Sequence, residues 1–299
     1  MIRLDDIQVF VQTVDAGSFS AAARQLDVTP ALASAAVQRL ETELGARLFV
    51  RSTRSMRISE DGERYLPHAR AALAALDGGK QAIAQMRGEI NGLLRLSAPS
   101  DLGRNVLLPW LEAFQQQHPK IALHLRISDR AADLLRLPLD AGIRYGMLLD
   151  SGLVAQPLAP NNRRTLCAAP DYLERHGTPE TPEDLRKHNC LRYIWGEHIY
   201  ERWSFHLSRG VQTVNISGDR ISDDADVVRR WAVAGLGVVY KSRIDVLADI
   251  RAGRLLEIFP PEQGEPAPLN LVSAHRSMLT PAVQRLRDFL REKLKDTRV

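Results

Sequence analysis

The residue types that most often carry catalysis occur in this chain, but their spacing gives them no reaction to perform. Its eight histidines are scattered without the intervals of metal ligands, and no GxSxG elbow or phosphate-cradling Walker loop is present. Gly235-Leu236-Gly237 lacks the remainder of a dinucleotide fingerprint. No catalytic residue, metal or cofactor is therefore expected, and the chain does not read as an enzyme. Cys167 and Cys190 are too few for a disulfide framework or a thiolate zinc site. They are either a redox pair or, as free cysteines commonly are, small buried residues.

Recognition chemistry is better represented. Thr29 is a good N-cap and Pro30 suits the first helical position, where a missing N–H costs nothing, so a helix is expected from there to about Leu44, ended by Gly45. Ala33, Val37, Leu40 and Leu44 recur at four- and three-residue steps and must face inward. That turns Ala31, Ala35, Gln38 and Thr42 outward, with Ser34 and Arg39 on the flanks. A face so small and polar can enter a major groove, where Gln38 can pair with adenine through two hydrogen bonds and alanine methyls can meet those of thymine. The next segment, RLFVRSTRSMRIS, alternates apolar and polar residues from Phe49 to Ile58 around a small tip at Ser52 and Thr53, the pattern of a two-stranded wing. Arg47, Arg51, Arg54 and Arg57 lie here with no acidic residue among them. Residues 1–87 hold eleven basic and ten acidic residues, so positive charge is focused on the wing, where phosphates would meet it.

Other elements must position these groups. Ile7, Phe10, Val11 and Val14 mark one face of a first helix that stops at Gly17, and Ser18 and Ser20 can cap a short alanine-rich second helix. Ser59 caps a long helix running towards Met86, with Glu60, Asp61 and Glu63 at the positive end of its dipole. Leu66, Ala69, Leu73, Leu76, Lys80 and Ile83 step three and four residues apart, a heptad seam interrupted by one lysine and loosened by Gly78-Gly79. At 1.5 Å per residue this rod would be about 40 Å long, too long for a small domain to cover, so a second copy is expected to cover the seam.

The stretch DDIQVFVQTVDAGSFSAAARQLDVTPALASAAVQRLETELGARLFVRSTRSMRISEDGERYL resembles the DNA-binding domain of LysR-type transcriptional regulators. Further on, GLLRLSAPSDLG, AAPDYLERHGTPETPEDLRKHNCLRY and AVAGLGVVYKSRIDVLADIRAGRLLEIFP resemble landmarks of the family's effector domain. The resemblance implies a tetramer built as a dimer of dimers, bound to an imperfect inverted repeat of double-stranded DNA, with RNA polymerase as a further partner. By residue match, Pro30, Ala31, Ser34, Ala35 and Gln38 stand where the family reads bases, and Ser20, Arg51 and Arg54 stand near phosphates. Thr29, Arg39 and Thr53 adjoin these positions and complete the expected DNA-binding set. The chain departs from the family at Ala35, where an arginine or lysine is common, so one charged contact is absent.

From Leu93 onward, short apolar runs alternate with helical stretches, as in parallel strands joined by crossover helices. Proline-bearing crossings at Val154 to Pro160 and Phe259 to Pro268 bracket about a hundred residues, which suggests one subdomain inserted in another. The resemblance implies the same thing, a two-lobed α/β domain like type 2 periplasmic binding proteins. The expected organisation is thus a winged helix-turn-helix over 1–58, a linker and dimerisation helix over 59–88, and an effector-binding domain over 90–299. One lobe would take about 90–160 and 266–299, the other about 161–265. Ligands in open α/β sheets lie beyond strand C-termini, against helix N-termini. That selects Pro99, Ser100 and Asp101 after one strand, Ser128, Asp129 and Arg130 after the next, Arg144 at the end of a third, and Ser222, Asp223 and Asp224 before a later helix. His198 and Tyr200 lie in a less regular stretch that also suits a cleft. The serines serve equally well as helix caps, and Arg144 as a structural ion pair. With arginines and aspartates both present, the effector is defined only as a small organic molecule.

Composition agrees. The chain has 299 residues, enough for two cores, with 44% hydrophobic and 25% charged residues and a net charge of +4, which suits a polyanionic partner. No apolar run is long enough to span a bilayer, and the opening MIRLDDIQVF places two aspartates where a secretory signal needs its apolar segment, so a cytoplasmic, nucleoid-associated protein is expected. An exported solute receptor would share the C-terminal fold but has no use for the first 87 residues. An architectural DNA protein would leave two hundred residues without a ligand to sense.

Overall fold

A computed structural model of the chain describes residues 1–51, 56–85, 91–130, 137, 139–146, 153–195 and 198–296. The N-terminal head is built from α1 (Leu4–Ala16), α2 (Phe19–Gln25) and α3 (Pro30–Leu44), followed by β1 (Phe49–Arg51) and an antiparallel β2 (Met56–Ile58). Local chemistry sets the helix ends. Ser18 accepts from Ala21 N–H at 3.1 Å, Thr29 Oγ1 accepts from Leu32 N–H at 3.3 Å, and Gly45 takes a left-handed φ of 64° to return its N–H to the last turn of α3. Phe10, Val37, Leu40 and Leu48 fill the core, and the Phe10 and Phe49 rings meet edge to face at 5.6 Å. Glu41, buried on α3, accepts the N–H groups of Leu48 at 2.8 Å and Phe49 at 3.3 Å, which ties the base of the wing to that helix.

Helix α4 (Glu60–Gln85) begins with Ser59 Oγ accepting from Gly62 N–H at 2.9 Å. Gly62 presses on the wing so closely that a β-carbon there would lie 2.3 Å from the Leu48 carbonyl oxygen. The start of the heptad seam differs from expectation. Leu66 and Ala69 are buried in the head's own core with Leu73 partly buried beside them, because α4 leaves the wing across α1, where Arg70 pairs with Asp15 at 2.5 Å. The exposed stripe is instead Ala72, Ala75, Leu76 and Gly79, at steps of one helical face. The side chain of Ile83 lies outside the described residues. Farther along, Gly78 comes 3.8 Å (measured from an ideal β-carbon) from Thr280 Cγ2, so the rod also packs on the C-terminal region.

That region opens with β3 (Gly92–Ala98), then α5 (Ser100–Leu102), a π-helical turn (Gly103–Leu107) and α6 (Leu108–Gln117). There follow β4 (Ile121–Ile127), β5 (Ala141–Tyr145), β6 (Val154–Ala159), β7 (Arg164–Ala168) and α7 (Pro170–His176). Next come β8 (Arg192–Trp195), β9 (His198–Ile199), β10 (Arg202–Leu207), β11 (Gly210–Asn215) and β12 (Ile221–Ser222). The chain ends with α8 (Ala225–Val233), β13 (Val239–Ser242), α9 (Arg243–Arg251), β14 (Leu256–Glu257), β15 (Leu269–Ser273) and α10 (Pro281–Asp296). One lobe holds a sheet of order β4-β3-β5-β15-β6, with Leu96, Phe114, Ile143, Leu271 and Leu286 in its core. The other holds β13-β7-β14, β12-β8-β9 and the hairpin β10–β11, packed around Trp203, Phe205 and Tyr240.

The sheets are not wholly parallel, as the alternation suggested. In the first lobe β3 runs parallel to β4 and β5, whereas β15 is antiparallel to β5 and β6. The reason is that β6 carries the chain out and β15 brings it back, and hydrophobic periodicity says nothing about direction. Cys167 and Cys190 are both buried; burial pushes both thiols up, Cys190 to about 12, so neither ionises readily. Among the described residues no group of His, Cys, Asp and Glu is arranged for a metal ion, and no helix is long and apolar enough to cross a membrane.

Candidate DNA-binding face and interlobe cleft

On the head, Ser20 is exposed on α2, and Thr29, Pro30, Ala31 and Gln38 are exposed on or just before α3, with Ser34 and Ala35 half-buried between them. Thr42 Oγ1 donates to the Gln38 carbonyl at 2.8 Å. Arg39 behaves differently from its neighbours. Its Nε and Nη2 donate to the two carboxylate oxygens of buried Asp6 at 3.2 and 2.6 Å, so its guanidinium is held back against α1. Arg51 lies at the end of β1, but its side chain, like Thr53 and Arg54 entirely, falls outside the described residues. Sequence reasoning passed over Leu32, which stands next to the inward-facing Ala33 yet is 58% exposed.

Between the two lobes lies a cavity of about 400 Å³. One wall is Ser100, Arg104, Ile127, Ser128, Asp129 and Arg130; the opposite wall is Ile194, Asp223 and Asp224. Ser100 is buried and central. Its N–H and Oγ donate to Asp129 at 2.8 and 2.5 Å, and its Oγ accepts from the N–H of Ala225, at the start of α8 in the other lobe, at 2.8 Å. Arg104, carried into the cleft by the π-helical turn, donates to both carboxylate oxygens of Asp224 at 3.0 and 2.8 Å. Burial raises the Asp224 carboxyl, but Arg104 and the N–H groups of Val227 and Asp226 outweigh it and hold it below the usual carboxylate range. Arg104 and Asp224 were not both expected here: Asp224 belongs to a Ser-Asp-Asp run before a helix, a readable signal, whereas nothing local marks Arg104.

Beneath the cavity, the lobes are joined by a buried ionic cluster. Asp101, completely buried on the first lobe, meets Lys241 Nζ at 2.7 Å and Arg229 Nε at 2.9 Å, both from the second. Arg229 also reaches Asp249 at 2.6 Å and Asp226 at 3.1 Å, and Asp226 accepts from Asn105 of the first lobe at 2.8 Å. Tyr145 OH donates to Asp245 across the same boundary at 2.6 Å. Burial first, and neighbouring Asp101 second, push Asp245 up to about 7 against the pull of Lys241. Burial lowers Lys241, but Asp101 and Asp245 more than reverse this.

Six of the expected effector residues thus line the cavity: Ser100, Ser128, Asp129, Arg130, Asp223 and Asp224. The rest are placed elsewhere. Pro99 contributes its carbonyl to the N–H of Gly103, Asp101 is consumed by the ionic cluster, and Arg144 is buried with its Nη2 on Ser97 Oγ at 2.6 Å. Ser222 accepts from Asp224 N–H at 3.1 Å, a cap to the turn before α8. His198 is exposed on β9 opposite Trp195, and Tyr200 lies under the Arg164 guanidinium at 4.6 Å with its hydroxyl donating to Glu265.

Residues 4–63 match the family model of bacterial regulatory helix-turn-helix proteins of the lysR family, and residues 87–295 match that of the LysR substrate binding domain. The chain is 37% identical over 268 residues to the probable HTH-type transcriptional regulator LtrA of Klebsiella pneumoniae, covering 86% of this chain and 82% of that protein. It is 30% identical over 289 residues to the HTH-type transcriptional regulator DmlR of Escherichia coli K12, covering 97% and 94%. Its fold is similar to the solved structure of CrgA, a LysR-type transcriptional regulator from Neisseria meningitidis, with a TM-score of 0.63, 30% identity and coverage of 97% and 98%.

Proposed function

The chain belongs to the LysR family of transcriptional regulators, and on that premise we propose that a small molecule seated between its lobes controls transcription by resetting how its DNA-binding heads are held. It is a DNA-binding regulator with an effector-binding domain, and not an enzyme. The finer reading assigns the head to 1–58, the rod to 59–88 and the effector domain to 90–299, divided at about 160 and 266. Ser20, Thr29, Pro30, Ala31, Ser34, Ala35 and Gln38 meet DNA together with Arg51, Thr53 and Arg54 of the wing. Arg39 serves mainly to hold Asp6. The operator is an imperfect inverted repeat, the assembly a dimer of dimers acting on cytoplasmic, nucleoid-associated DNA, and RNA polymerase the eventual partner. A second copy covers Ala72, Ala75, Leu76 and Gly79 on the rod, the apolar stripe that the head leaves bare.

The observation that carries this reading is the origin of the cavity walls: both lobes supply them, and the bond from Ala225 N–H to Ser100 Oγ crosses the floor. A ligand contacting Ser128, Asp129 and Arg130 on one side and Asp223 on the other binds one lobe arrangement better than another. Only such a preference shifts the equilibrium. A thermal-shift screen of metabolites on the full chain finds the effector, and footprinting with and without it tests the mechanism: a changed footprint or DNA bend is expected, and identical footprints with unchanged transcription would overturn it.

A further inference from the structure

The outward sector of α3 is poor in free charge and rich in hydrocarbon. At 3.6 residues per turn, Leu32 and Arg39 form one edge, Ala35, Ala31 and Thr42 the middle, and Gln38 the other edge, roughly a third of the circumference. Arg39 is the single arginine in this sector, and its Nε and Nη2 are committed to Asp6. Reading guanine through O6 and N7 takes two parallel donors from one arginine, and Arg39 has given its Nε/Nη2 edge to a buried carboxylate, which leaves the Nη1/Nη2 end as its one remaining fork. Beside it, Leu32 projects 58% exposed, and Val28, in the turn just before α3, is also exposed, at 37%. An isolated exposed leucine needs no explanation, but Leu32 stands on the edge of the helix that enters the groove, flanked by two alanines.

The major groove offers one apolar group, the C5-methyl of thymine. We propose that Leu32, with Ala31 and Ala35, packs against thymine methyls, so that this regulator selects its operator in part by the placement of thymines opposite this edge of α3. Gln38, at the opposite edge, supplies the polar complement by pairing with adenine. The absence of a basic residue at Ala35 follows the same logic, since a long cation there would hold Leu32 away from the bases. The proposal rests on α3 as the reading helix.

Replacing thymine by uracil removes the methyl and nothing else. Operators selected from random duplexes by the full-length protein are resynthesised with uracil at one thymine at a time, and affinity is measured by fluorescence anisotropy at fixed salt for the wild type and for Leu32→Ala. At one or two thymines per half-site, uracil should weaken wild-type binding about three- to tenfold, and Leu32→Ala should bind thymine that much more weakly while no longer distinguishing uracil. Because Leu32 is exposed, the variant keeps its fold, which an unchanged salt slope on non-specific DNA verifies. An equal uracil penalty in both proteins would overturn the proposal while leaving the reading helix in place. Unchanged DNA affinity with lost activation in Leu32→Ala would overturn it in favour of a polymerase contact. If no duplex is enriched, α3 as the reading helix falls with it.

Discussion

In the head, Asp6 and Glu41 are buried inside one module, where Asp6 anchors Arg39 and Glu41 anchors the wing. In the cleft, Asp101, Asp226 and Asp245 are buried between two bodies, and each has a partner on the opposite lobe. The same chemistry therefore has different consequences. A carboxylate satisfied within a module is satisfied for as long as the module is folded. One satisfied across a boundary returns to water each time the boundary opens, and the attraction gained on closing is offset by the cost of drying the charges. A nearly balanced closure is one that a ligand can tip.

The most forceful way to break this comparison is Asp101→Ala, which takes from buried Lys241 its nearest carboxylate and from Arg229 one of three. It should destabilise the effector domain by about 3–5 kcal/mol. All four tryptophans, residues 110, 195, 203 and 231, lie beyond the head, so urea unfolding followed by tryptophan emission reports on this domain. A change no larger than that of an exposed substitution would show that the cluster is hydrated and the lobes already open.

Asp245 sharpens the comparison through pH. Its carboxyl is raised to about 7 from the ordinary value of 3.8, so the folded protein keeps a proton that the unfolded chain releases near pH 4. Relative to wild type, Asp245→Asn should therefore gain stability as pH rises from about 4 to about 7 and hold that advantage above it. Parallel stability curves across this range would remove the buried titration. In the head, Glu41→Ala leaves the Leu48 and Phe49 N–H groups without their acceptor, at a cost of about 1–3 kcal/mol. DNA affinity should fall with it, and a head that unfolds at the wild-type urea concentration would refute the anchoring role. The smallest effect is expected of Asp6→Ala, which frees Arg39 to meet phosphate. Non-specific affinity should rise and its log–log salt dependence steepen by up to about one unit, whereas an unchanged slope would mean that Arg39 already reaches DNA.

These contrasts also mark what the sequence discloses. The limits of α3 are legible because Thr29, Pro30 and Gly45 act within one turn of themselves. The pairing of Arg39 with Asp6 is not, since it spans 33 residues and depends on how α1 crosses α3. The heptad seam of α4 was readable as apolar, but periodicity cannot say whether Leu66 and Ala69 meet a second copy or the chain's own head. In the cleft, serines and aspartates after strands pointed to loops that line the cavity, yet Asp101 and Arg144 look identical in sequence to the residues that do. What separates them is a partner more than a hundred residues away for Asp101 and one 47 residues away for Arg144.

The glycine at position 62 has a mechanical implication. With the Leu48 carbonyl seated where its side chain would be, the first turn of α4 is bolted to the wing, and Leu66, Ala69 and the Arg70–Asp15 pair extend the joint. Head and rod thus turn together as a lever arm with no pivot at its DNA end. Under the proposed mechanism, motion arising between the lobes would reach the duplex as a rotation of that whole arm about its far end, near Gly78 and Thr280, where a small angular change becomes a large displacement along the double helix.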